Sequence, residues 1–286
     1  MSDEKEKMYL RFRMMARIEH IILLLSFTVL GLTGLPQRYF EVPFAVDMIN
    51  VMGGITTVRL IHRYAAILLI LGSVYHLFTG AYRWYVKGER MRIMLRPKDA
   101  VDIYDTVRHN LGLKEEPPKM PKFNFGEKIE YWAVIWGTAV MVITGFMLWN
   151  PIAVTAILPG QFIPAAKTAH SAEALLAVVS IVIWHFYNVL IKHRNWSIFT
   201  GKISHSQMEE EHMLELERLE AGGDPFPGVA LTAQKTRKYI YFFVGTAVAI
   251  LALIAIFWLF TFEETAITTL PQVTREIFVP LATPVP

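Results

Sequence analysis

"RLIHRYAAILLILGSVYHLFTG", Arg59 to Gly80, is apolar enough to enter a bilayer, yet it carries two histidines, His62 and His76. Its surroundings decide how it is read. Of the 286 residues 53% are hydrophobic, mean hydropathy is +0.36, and the apolar residues are gathered into long runs. About twenty apolar residues at ~1.5 Å rise each cross the hydrocarbon. Five segments meet that length, roughly residues 17–35, 59–84, 129–150, 168–191 and 239–262. The expectation is an all-α integral membrane protein. The apolar run after the N-terminal charges is long for a signal-peptide core and lacks a small-x-small cleavage site, which predicts a retained first span.

Lysine and arginine orient the spans. Lys5, Lys7, Arg11, Arg13 and Arg17 precede the first, "RWYVKGERMRIMLRPK" follows the second, and Lys192, Arg194, Lys202, Lys235, Arg237 and Lys238 separate the fourth from the fifth. The alternate loops offer only Arg38, Arg59 and Lys167, and the tail only Arg275. An excess of cationic residues marks cytoplasmic loops, which predicts a multi-pass membrane protein, N-terminus cytoplasmic and C-terminus extracytoplasmic. The net charge of +3 is made of membrane-flanking residues and implies no nucleic-acid partner. The absence of cysteine excludes disulfides, thiolate-bound metals, iron–sulfur clusters and covalent haem attachment.

The chain also repeats itself. "RIEH…LGLTGLP" at 17–36 recurs as "KIEYWAVIWGTAVMVITGFMLWNP" at 128–151, and the two-histidine segment recurs as "KTAHSAEALLAVVSIVIWHFYNVLIKH" at 167–193. A helical hairpin is therefore duplicated into a four-helix bundle, residues 1–222, with a fifth span and its tail, residues 223–286, outside the repeat.

Fourteen residues at 100° each bring His76 back to within ~40° of His62, about 21 Å along the axis. On the fourth span His170 and His185 are fifteen apart, which returns to within ~60° over about 22 Å. Two imidazole pairs at matching depths are what two bis-histidine haems require. Zinc fits poorly, because it needs a tight cluster and no H-x-x-x-H motif or carboxylate cluster supplies one. His20, near the cytoplasmic end of the first span, adds a third candidate beside His76 and His185 at the inner level, where Tyr131 takes its place in the second repeat. A membrane histidine can also serve as an interhelical hydrogen-bond donor or a proton relay, which makes a histidine-lined transporter the competing class.

Elsewhere the reading is plainer. His109, His193, His205 and His212 fall in polar loops or at a helix end, and Trp84, Trp132, Trp149 and Trp184 suit helix packing and interface belts. "RPKDAVDIYDTVRHNLG" predicts a short amphipathic helix on the membrane face. "SHSQMEEEHMLELERLEAGGD" predicts a solvated helix ended by Gly222 and Gly223.

Taken together, "RIEH…TG", "VRLIHR", "FNFGEKIEYW…VITGFMLWNP", "AHSAEALL…IWHFY" and "FTGKIS" resemble the membrane cytochrome b (gamma) subunit of respiratory formate dehydrogenases and related quinone-linked bacterial complexes, over about residues 10–220. The resemblance implies two b haems, one near the outer face on His62 and His170, the other near the cytoplasm on His20 and His185. It also implies a contact between Asn124, in "KFNFGEK", and a quinone, menaquinone or ubiquinone. The family pattern does not need His76, whereas the internal symmetry makes His76 a rival of His20. It also lacks the fifth span, whose tail "FEETAITTLPQVTREIFVPLATPVP" is expected to lie along an extracytoplasmic partner subunit bearing iron–sulfur clusters or c-type haems. The function expected is electron transfer between that partner and the quinone pool. A stand-alone transmembrane oxidoreductase of the cytochrome b561 type is the alternative within the same chemistry.

Overall fold

The structure is a computed structural model and describes residues 6–192, 194–228 and 231–261. In chain order it contains β1 (Met8–Leu10), α1 (Met14–Arg38), α2 (Pro43–Val51), α3 (Ile55–Ala81), α4 (Pro97–Asn110), α5 (Phe125–Trp149), α6 (Pro151–Thr155), α7 (Phe162–Ser180), α8 (Ser197–Thr200), β2 (Lys202–Ser204), α9 (His205–Glu211), α10 (Met213–Glu220) and α11 (Leu231–Thr261). π-helical turns prolong α3 over Tyr82–Val86 and α7 over Ile181–His185 and Tyr187–Lys192. Five helical stretches are long and apolar enough to cross a membrane: Met14–Arg38, Ile55–Val86, Phe125–Trp149, Phe162–Lys192 and Gln234–Trp258. His193 and the tail from Phe262 onward, expected to follow a partner subunit, lie outside the described residues.

Proline and capping residues mark where the helices begin. Pro43, Pro97 and Pro151 open α2, α4 and α6, where a missing N–H costs nothing. Asn124 caps α5 with its Oδ1 on the Glu127 N–H, while Glu127 Oε2 accepts from the Asn124 N–H, both at 2.9 Å. Pro36 lies within the last turn of α1, so that helix runs past the "TGLP" at which the sequence suggests its end.

The four repeat helices associate as two hairpins. α1 lies along α3, α5 lies along α7, and α1 also touches α7. Side chains buried within these spans are mostly small or polar: Ser26, Thr33 and Pro36 on α1, Val58 and Ala65 on α3, Thr144 on α5, Ala166 on α7. Small residues admit close helix approach where lipid removes the hydrophobic drive for association. α11 stands apart, resting on the end of the second span through Tyr241 Oη to Phe78 O at 2.7 Å and Arg237 to Tyr85 O at 3.1 Å.

At the end of the bundle that carries the N-terminus and the basic loops, short elements form a cap. β1 pairs antiparallel with β2, Tyr9 opposite Ile203, so the chain before the first span is stitched to the chain after the fourth. Gly201, at φ +80°, makes the turn; its carbonyl accepts from Arg11 N and Phe12 N at 2.9 and 3.1 Å, and a Cβ there would press on Phe12 O at 3.0 Å. Arg17 donates to Phe199 O in the same corner. Ile203, Met208 and Leu216 form the small apolar centre of the cap. The acidic run is thus not one solvated helix. It breaks at His212 into α9 and α10, and His212, expected in a polar loop, is fully buried. The reason is that the run lies over β1–β2 and turns Met208 and Leu216 inward.

α4 is held by charge. Lys128, at the start of α5, donates to Asp99 Oδ1 at 2.6 Å with both side chains buried, while Asp99 Oδ2 caps α4 from inside through Arg96 N at 2.7 Å. Removing one partner of such a pair strands the other charge. Asp99→Ala should therefore cost about 3–5 kcal/mol locally, and be read as faster hydrogen exchange across residues 97–110. Asp99→Ala combined with Lys128→Met should restore much of the protection; equal exchange in both variants would show that the pair does not hold the helix.

Candidate functional site

The site is built from the repeat. At the end of the bundle away from the cap, the imidazoles of His62 on α3 and His170 on α7 face each other with ring centroids 6.4 Å apart. Each has a threonine on its Nδ1. Thr33 Oγ1 lies 2.8 Å from His62 Nδ1 and already donates to Val29 O, so the imidazole must be the donor. Thr144 Oγ1 stands in the same relation to His170 Nδ1 at 2.9 Å and donates to Val140 O. Both rings therefore carry the proton on Nδ1 and keep the Nε2 lone pair. The next residue in each repeat is a glycine: a Cβ on Gly34 would meet His62 Cε1 at 3.1 Å, and one on Gly145 would meet His170 Cε1 at 3.3 Å.

Near the cap a second pair forms, between His20 on α1 and His185 in the π turn of the fourth span, again at 6.4 Å. Glu130 Oε2 accepts from His185 Nδ1 at 2.9 Å, which leaves the Nε2 lone pair as before. Phe199 sets its edge against His20. His76 is engaged differently: Glu19 Oε2 holds its Nδ1 at 2.8 Å, and Tyr131 Oη reaches its Nε2 at 3.0 Å. Thr79 completes the Glu19 carboxylate at 2.6 Å. The duplication thus survives as two crossed pairs at one depth, His20 with His185 and Tyr131 with His76. The glutamates correspond as well, since Glu19 holds His76 where Glu130 holds His185. One extra residue separates the histidines of the fourth span, and the wider π turn accommodates it.

Two ring nitrogens bound at ~2 Å to one metal place the ring centroids about 6.3 Å apart. Both pairs meet that spacing. Among the described residues no three or more His, Cys, Asp or Glu side chains gather around a metal position. A group that brings its own equatorial donors, such as a porphyrin iron, fits; a bare ion does not.

Asn124 stands at the start of α5 beside this second pair's helix, where Gly126 faces both Asn124 Oδ1 and Trp184. Its Oδ1 is committed to the helix cap, and its Nδ2 is the group available to a ligand. The reading of the sequence named the histidines but gave no role to Thr33, Thr144, Glu19, Glu130, Gly34 or Gly145. The signal was present: these are the polar and small residues common to both copies of the repeat, at one constant offset.

Residues 11–202 match the sequence profile of the family described as prokaryotic cytochrome b561. Over 228 residues, 79% of this chain and 99% of the relative, the chain is 21% identical to the cytochrome b556(Fdn) subunit of the nitrate-inducible formate dehydrogenase of Escherichia coli K12. The cytochrome b556(fdo) subunit of formate dehydrogenase from the same organism is 22% identical over 206 residues, 71% of this chain and 89% of the relative. The match to the profile runs from the N-terminal strap through all four repeat helices and both imidazole pairs, and on that match the chain belongs to the prokaryotic cytochrome b561 family.

Proposed function

We propose that this membrane cytochrome b carries electrons through two b haems between an extracytoplasmic redox subunit and the quinone pool. The observation that supports this most directly is the presence of two imidazole pairs at 6.4 Å, stacked at separate depths of the bundle. In this reading His62 and His170 hold one haem and His20 and His185 the other. His76 is set aside because Glu19 and Tyr131 occupy both of its nitrogens. Haem b supplies a one-electron couple when bound. The protein's share is to fix the tautomers, orient the rings and keep the pathway dry.

The basic end is taken as cytoplasmic, which puts the His20–His185 level and Asn124 on that side and His62–His170 toward the partner. The partner is of the iron–sulfur or multihaem cytochrome c kind, and the quinone is menaquinone or ubiquinone. The family description suits a stand-alone oxidoreductase as well. Similarity along 99% of a formate dehydrogenase cytochrome subunit favours the subunit reading. Turnover by the purified chain alone with a small extracytoplasmic donor would favour the stand-alone form.

Haem stoichiometry tests the ligands. Pyridine haemochrome assay should give two b haems per chain, and one after His20→Ala or His185→Ala, with His76→Ala retaining both. Loss of a haem on changing His76 while His20→Ala keeps both would reverse the assignment.

The hydrogen bonds to Nδ1 make a finer test. Removing the acceptor on a ligand's N–H, or neutralising it where it is a carboxylate, makes that imidazole a poorer donor to iron, which raises the reduction potential and weakens binding by roughly 10–100-fold. Redox titration should show Thr33→Val and Thr144→Val shifting one haem upward and Glu130→Gln shifting the other. Shifts of the same haem by all three variants would contradict the two-level arrangement.

Asn124→Asp keeps the oxygen that caps α5 and removes the Nδ2 donor. A lost hydrogen bond of ~0.5–1.5 kcal/mol corresponds to a slowing of quinol-driven haem reduction of up to about tenfold, with both haems retained. Unchanged kinetics would move the quinone elsewhere.

A further inference from the structure

Under the His20–His185 level the cap encloses titratable groups that haem ligation does not use. His212 is fully buried between α9 and α10. Its Nδ1 lies 2.8 Å from Pro121 O and must donate there, so Nε2 presents a lone pair. That nitrogen makes no hydrogen bond and lies 3.7 Å from Glu211 Oε2, whose side chain is 9% exposed. An imidazole lone pair opposed to a carboxylate oxygen in a buried site is unfavourable, and it becomes favourable when the carboxyl carries a proton. Next to them Arg11, 2% exposed, donates to Glu127 Oε1 at 2.5 Å, and Glu127 Oε2 accepts from Asn124 N at 2.9 Å. Polar groups therefore run from the acidic helix pair to the residue assigned to the quinone.

Among the described residues, charged groups facing Glu211 include Glu127 from α5, Arg11 from the strap before α1, Lys192 from the end of the fourth span, and Glu210 and His212 beside it. Burial, reinforced by the Glu127 carboxylate and opposed by Arg11, pushes the Glu211 carboxyl up to about 7. Burial, with the Arg11 charge in the same direction, pushes His212 down to about 4, so His212 stays neutral as Glu211 titrates.

We propose that Glu211 exchanges protons between the water on the basic side and a quinone bound at Asn124, across the Arg11–Glu127 pair. The inference rests on the Asn124 reading above. Reducing one quinone to quinol consumes two electrons and two protons. The electrons come through the His20–His185 level, and each carbonyl oxygen gains one proton to become a hydroxyl. Glu211 supplies a proton, is left as a carboxylate, and takes another from water before the second transfer. Oxidation of quinol runs the same steps in reverse.

A proton donor of this kind is loaded below pH about 7. The rate of quinone reduction by pre-reduced haem should therefore fall as pH rises through that value. In the haem-loaded chain in nanodiscs, infrared difference titration should show a protonated-carboxyl band disappearing near pH 7, and Glu211→Gln should remove it. With two haems still bound, Glu211→Gln should slow quinone reduction at pH 6 by roughly 10–100-fold and flatten its pH dependence, while Glu211→Asp should restore part of the rate and displace the inflection. If no carboxyl titrates near neutrality, or if Glu211→Gln keeps the original pH profile while Asn124→Asp slows the reaction, Glu211 is not the donor and the quinone reading stands. If neither Glu211→Gln nor Asn124→Asp slows it, both the donor and the quinone position are wrong.

Discussion

An imidazole can offer its Nε2 lone pair only while its other nitrogen keeps the proton, and inside a bilayer that proton needs an oxygen to rest on. For three of the four paired imidazoles this bundle supplies the oxygen from the neighbouring helix, while His20 Nδ1 is buried without a hydrogen-bond partner. Thr33 and Thr144 accept from His62 and His170, and Glu130 accepts from His185. The threonine hydroxyls can act as acceptors because their own protons already lie on helical carbonyls one turn earlier. A carboxylate among apolar spans is costly unless fully engaged. Glu19 meets that condition with His76 and Thr79, and Glu130 bonds His185. Helix pairing, ring orientation and tautomer thus follow from the same contacts.

The duplicated hairpin sets up this arrangement and also breaks its symmetry. If both copies had remained identical, four imidazoles would meet at the level near the cap. With Tyr131 in the place of His20, its hydroxyl closes off His76, and His20 and His185 are left facing each other. A single side-chain difference between the copies determines which diagonal of the bundle is open.

Five apolar runs and the duplicated histidine segment were legible because both are properties of spacing: length against bilayer thickness, and angular return along a helix. The pairing of His20 with His185 rather than His76 was not legible in spacing and came only from the family resemblance, because it turns on Tyr131 and on a π turn that shifts the fourth span by one residue, and neither leaves a mark in hydrophobic periodicity. The break at His212 was hidden for another reason. The run around it is rich in charge, and charge reads as solvent exposure, but here it folds over a strand pair only three residues long on each side. Strands so short, contributed by the chain before the first span and the chain after the fourth, carry almost no local signal.

That strand pair bears on the order of assembly. Met8–Leu10 leaves the ribosome first, yet its partner Lys202–Ser204 follows only after the fourth span has been made. His20 likewise waits for His185, whereas His62 waits only for His170. The contacts near the cap, His20 with His185 and β1 with β2, therefore close the longest loops and are the last whose partners are synthesised. During synthesis the N-terminal strap is an untied end, and once β1 meets β2 the first and fourth spans are buckled together beside the younger of the two sites.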